Sequence, residues 1–130
     1  MSLNPRDAVI VDYARSAMGR SKNGCFRHVR ADDLSAEVIK GMLARNTALD
    51  PAEIDDLIWG AVIQRGEQGM NLARMIVLNA ELPHPIPAHT GHRLGGAGGS
   101  AVRTGAGRRG GGGGGGEGGG GGGRGGAGGG

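Results

Sequence analysis

The chain has 130 residues, a formal net charge of +3, one Cys and only three aromatic residues. Of its 31 Gly, 24 fall from residue 95 onward, so any sizeable core must come from the first 94 residues, enough for one small domain. No run approaches the roughly 20 apolar residues of a membrane span, the N-terminus MSLNPRDAVIVD lacks the pattern of a secretory signal, and the lone Cys25 excludes an internal disulfide; together these predict a cytoplasmic chain.

Residues 8 to 12 read AVIVD, a short β-branched apolar run ended by a charge, which predicts a strand buried on both faces. The stretch RSAMGRSKNG (15 to 24) then reads as a solvated loop. It contains neither of the glycine motifs that cradle phosphates. From Asp32 onward, Leu34, Val38, Ile39 and Met42 recur at helical spacing, with acids in the first turn and Lys40 and Arg45 in the last, and Asn46 as the stop. Asp50-Pro51-Ala52-Glu53 predicts a short helical turn, with Asp as cap, Pro at the first position and Glu three residues on.

LIWGAV (57 to 62) is a second buried-strand run. Gly60 inside it implies a bulge or a close backbone approach. Strand, helix, strand predicts a parallel unit. After the polar loop QRGEQGMN (64 to 71), a second apolar stripe of Leu72, Ala73, Met75, Ile76 and Ala80 predicts another helix, its Met residues serving as core filler. Pro83, Pro85 and Pro87 end it. His28, His84, His89 and His92 lack the spacing of a zinc site, so they read as loop or packing residues and no metal is expected. The alternating order predicts an α/β fold.

Three blocks, DAVIVDYARSAMGRSKNG, DPAEIDDLIWGAVIQRGEQGMNLARM and PAHTGHRLGG, lie in one uninterrupted register over residues 2 to 106. Together they resemble the N-terminal part of thiolases, most closely the 3-ketoacyl-CoA thiolases (acetyl-CoA C-acyltransferases) that form the β subunit of bacterial fatty acid oxidation complexes. The resemblance implies the first portion of a thiolase-like α/β fold and thiolytic cleavage of a 3-ketoacyl-CoA. In that chemistry a Cys thiolate takes the acyl group and coenzyme A, a substrate and not a resident cofactor, removes it. It also implies a homodimer and an α subunit as partner, while loops 15 to 24 and 64 to 71 are open to three readings: the dimer, the active-site floor, or structure alone.

The family nucleophile follows the block matched by His89-Thr90-Gly91-His92-Arg93-Leu94, at a strand-to-helix turn where the helix N-terminus lowers a thiol pKa. Here that position is Gly95, which has no side-chain nucleophile. Cys25 lies in a different stretch and reads as an unpaired thiol. None of the four His residues matches the activating His, which, like the second Cys, belongs to motifs beyond this chain. The expectation is a chain inactive on its own.

Residues 95 to 130 read as a Gly-rich low-complexity tail, disordered because so little apolar surface cannot offset the entropy of ordering it. The GGAGG stretch argues that the helix following the nucleophile is absent, since each Gly costs about 0.8 to 1 kcal/mol against Ala. One alternative is a non-catalytic thiolase-like module whose basic tail binds a partner or RNA. Against nucleic acid, Arg103, Arg108, Arg109 and Arg124 are sparse and have no aromatic neighbour for stacking. Another is that the tail is a sequence artefact: every residue from 105 to 130 is Gly, Arg, Ala or Glu, the last three each one base from a Gly codon. Coding bases replaced by guanine would give such a run, and the natural residue at position 95 would then be Cys.

Overall fold

A computed structural model of the chain describes residues 2–110, with side chains through Arg108. Two parallel strands, β1 (Leu57–Gly60) and β2 (Ala88–Gly91), pair in the register Leu57 to Ala88 through Gly60 to Gly91. Helices α1 (Ala31–Arg45) and α2 (Leu72–Asn79) form one apolar layer, and α3 (Ala97–Gly110) packs against both strands. The pleat divides the strand between these layers. Leu57, Trp59 and Ala61 join the core with Ala36, Ile39, Leu72, Ile76 and Val77, while Ile58 and Gly60 meet α3.

Helix α1 forms where the stripe predicts it, with Asp32 and Asp33 in its first turn and Arg45 in its last. Its N-cap Arg30 supplies no side-chain cap. The Glu67 carboxylate, 36 residues away, accepts the exposed Ala31 N–H at 2.8 Å instead, tying the 64–71 loop to the helix. The Asp50 turn behaves as predicted: Pro51–Glu53 is a 3₁₀ turn, and Asp50 Oδ1 accepts from Ala52 N–H at 2.9 Å.

Residues 8–12 are not a buried strand. They form no ladder, and Ile10 and Val11 are 81% and 86% exposed. A strand needs a neighbour as well as a sequence, and β1 and β2 pair only with each other among the described residues. Asp12 is instead bound at the far end of α1, where Arg45 Nη2 and Nε donate to its carboxylate at 2.8 to 3.1 Å and Asn46 Nδ2 donates at 2.5 Å. The parallel unit therefore arises one step later, as β1–α2–β2. Met75, the methionine of the α2 stripe, is half-buried, and Met70 in the preceding polar loop is 94% exposed with a left-handed φ of 53°.

The expectation that the glycines abolish the next helix is also overturned. Helix α3 is present because small residues four apart let its backbone lie close on the sheet. Ala97 and Ala101 are buried, and a Cβ at Gly105 would stand 3.7 Å from Ile58 Cδ1. Tertiary contact outweighs weak intrinsic propensity here. The expected disorder of the rest of the tail concerns residues 111–130, which lie outside the described residues.

Two carboxylates give the fold a predictable acid limb. Arg30 donates to both oxygens of the buried Asp32 at 3.0 Å, and this pairing holds the Asp32 carboxyl below its ordinary 3.8. The Asn46 amide, then Arg45, lower Asp12 likewise. Carboxyls depressed in the folded state add stability above their unfolded value, and that stability is lost as pH falls below it. The urea midpoint is expected to drop below about pH 4. Asp32→Asn should show a shallower acid limb in the same titration.

Candidate active site

Parallel strands in α/β proteins present their carboxyl ends to ligands, and position 95 stands just past that end of β2. The chain leaves Gly91 through His92 and Arg93, passes a 3₁₀ turn at Leu94–Gly96 and enters α3 at Ala97. Leu94 carries φ 45°, the left-handed region that a branched residue occupies only at a cost of about 1–2 kcal/mol. Its N–H donates to His92 Nδ1 at 3.5 Å, and Gly96 N–H donates to Arg93 O at 3.0 Å. The turn is strained, hydrogen-bonded and exposed from His92 to Gly96.

Gly95 sits where a side chain would fit. A Cβ built there meets no heavy atom within 4 Å, and its backbone is outside the left-handed region that disfavours L side chains. The N-terminal turn of α3 begins at this point and supplies the N–H groups and partial positive charge that favour a thiolate. Position 95 itself carries no side-chain nucleophile.

Its depth is set by Gly60. A Cβ on Gly60 would fall 2.5 Å from Ala97 O and 2.7 Å from Gly98 N, so α3 starts directly on β1. The predicted close approach at Gly60 is present, with the first turn of α3 as its partner. The resemblance placed a strand before this turn, and β2 supplies it, although the residues AHTG carry no strand pattern of their own.

The remaining candidates lie elsewhere or do other work. Cys25 is free and exposed in the turns before α1. His28 and His84 are exposed, and the His84 carbonyl accepts from Arg74 Nη1 at 2.9 Å. His89 Nδ1 lies 3.9 Å from Asp56, which also forms an ion pair with Arg108. Asp56 and Arg108 line an open cleft of about 610 Å³ with Leu49, Ile54 and Ile58, at the entry end of the strands and opposite position 95. Arg108 is therefore partly neutralised within the fold. Among the described residues, no three His, Cys, Asp or Glu side chains stand together as a metal site, and no helix is long and apolar enough to cross a membrane.

The family pattern described as Thiolase, N-terminal domain, matches residues 8–108, from the apolar N-terminal run to the last turns of α3. The chain belongs to the thiolase family. It is 69% identical over 106 residues to a 3-ketoacyl-CoA thiolase of Saccharophagus degradans, covering 82% of this chain and 27% of that protein. Proteins with the same name from Marinobacter nauticus and Hahella chejuensis are each 55% identical over 106 residues, with the same coverage. The chain thus spans about a quarter of the length of these thiolase relatives.

Sequence reasoning marked position 95 through the resemblance. It missed Asn71 and Thr90, which join α2 to β2 by side-chain hydrogen bonds. The left-handed φ of 58° at Asn71 suits the residue type, but a 19-residue separation hides its partner.

Proposed function

We propose that this chain is the N-terminal part of a 3-ketoacyl-CoA thiolase, and that as it stands it performs no acyl transfer. The observation that carries this reading is the turn at position 95: at the carboxyl end of a parallel strand, on a helix N-terminus, open to a side chain, and occupied by Gly95. In the full reaction a thiolate at this turn attacks the 3-keto carbonyl. The bond between C2 and C3 breaks, acetyl-CoA leaves after its enolate gains a proton, and the acyl group remains as a thioester. Coenzyme A then attacks the thioester and carries the acyl group away, restoring the thiol. Without sulfur at position 95 the first bond cannot form.

The relatives' name supports the substrate class, an acyl-CoA with coenzyme A as co-substrate. The match to the thiolase N-terminal domain over residues 8–108 supports carrying the family's nucleophilic Cys to position 95 of the natural protein. Incubating the purified chain with acetoacetyl-CoA and coenzyme A is expected to give no thiolysis, followed as loss of the enolate absorbance. Turnover above that of a heat-treated control would overturn the proposal. Independent sequencing of the gene through codon 95 is expected to return a Cys codon.

A further inference from the structure

We infer that Asn71 and Thr90 act as a positioning pair for position 95, fixing the end of β2 against the N-terminus of α2 and so setting the electrostatic environment of the turn. The inference rests on the proposed acyl-transfer reading of that turn. Asn71 is the N-cap residue of α2, yet its side chain does not cap its own helix. Its Nδ2 donates to Ala88 O at 3.0 Å, and its Oδ1 accepts from the Thr90 hydroxyl at 2.9 Å. Thr90 Oγ1 in turn accepts from Ala73 N–H at 2.9 Å. The strand therefore caps the helix, and the helix's cap residue satisfies the strand's outer edge.

The exchange has two consequences for a residue just downstream. First, β2 is held on both sides up to its last residue: Ala61 N–H donates to Gly91 O at 2.9 Å from the β1 side, and the Asn71–Thr90 pair grips the other. The strained turn at Leu94 thus departs from a fixed point. Second, the N-terminus of α2 is fixed along β2, bonded to Ala88 and Thr90, and α3 begins beyond that strand's last residue. The turn that carries position 95 is thus anchored through β2, and the N-terminus of α3 favours negative charge there. Arg74, one turn into α2, steadies the approach by donating to His84 O and Ile86 O at 2.9 and 3.1 Å.

The test uses the 130-residue chain carrying Gly95→Cys and Cys25→Ser, so that one thiol remains, and reads its pKa from the pH dependence of iodoacetamide alkylation. Thr90→Val and Asn71→Ala are each expected to raise that pKa by about half a unit or more, roughly a threefold loss of thiolate at neutral pH. Thr90→Ser, which keeps the hydroxyl, should leave it near the parent value. Urea unfolding of each variant separates this effect from a general loss of stability. Asn71 is exposed, so its variant remains informative if Thr90→Val fails to fold. A pKa that is depressed in the parent and unmoved in Asn71→Ala would overturn the positioning role. An ordinary thiol pKa in the parent would instead contradict the reading of the turn itself.

Discussion

Replacing Gly60 by Val should push the first turn of α3 off the sheet and cost the fold about 3 kcal/mol, with Gly60→Ala costing about 1–3 kcal/mol. The atoms in the way are backbone: Ala97 O at 2.5 Å, its carbonyl carbon at 2.6 Å and Gly98 N at 2.7 Å from the new Cβ. Backbone does not change rotamer to make room, so the helix must move. Position 95 stands two residues before Ala97, and its turn moves with it. Urea unfolding gives the stability loss. A midpoint unchanged by either substitution would mean that α3 does not start on β1.

The second large effect concerns chemistry. Gly95→Cys is expected to fold like the parent, because no heavy atom lies within 4 Å of the added Cβ. Its thiol should react with iodoacetamide several-fold faster at neutral pH than Cys25, which stands in the exposed turns before α1. A helix N-terminus lowers a thiol pKa from about 8.5, and one unit is roughly tenfold in thiolate, partly offset by the weaker nucleophilicity of a more acidic thiol. Peptide mapping after brief alkylation compares the two sites directly. Equal labelling would show that the turn does not activate a thiol.

What could be read from the sequence was local. The first-turn acids and last-turn Arg45 of α1, the Asp50 cap and the Leu72 to Ala80 stripe all obey rules that act within a few residues, and the structure follows them. The failures share a different origin. The AVIVD run has every local mark of a strand, but pairing depends on a neighbour that β1 and β2 do not provide. The residues AHTG have no strand pattern, yet they pair because β1 offers an edge and Asn71 and Thr90 secure the other side. The glycines of α3 lower its intrinsic propensity while allowing the close packing that stabilises it. Glu67 capping α1 and Thr90 capping α2 are long-range hydrogen bonds with no short-range signature.

The candidate site divides in the same way. The family register located position 95, and the strand, strained Leu94 and helix N-terminus around it came only with the fold. The close approach at Gly60 was legible as a need for a small residue, but the first turn of α3 as its partner was not. Register says which residue should react; packing says why the turn is held where it is.

The most direct measurement joins residues 1–110 of this chain, in place of the matching segment, to the remainder of the Saccharophagus degradans 3-ketoacyl-CoA thiolase, with position 95 as Gly or as Gly95→Cys. Thiolysis of acetoacetyl-CoA by the two chimeras is then compared. Loss of a nucleophile commonly costs a factor on the order of 10⁴ to 10⁶, so the Gly95→Cys chimera should turn over and the Gly95 chimera should fall below it by such a factor. Comparable rates from both, or a folded Gly95→Cys chimera with no activity, would contradict the assignment of this turn as the acyl-accepting site.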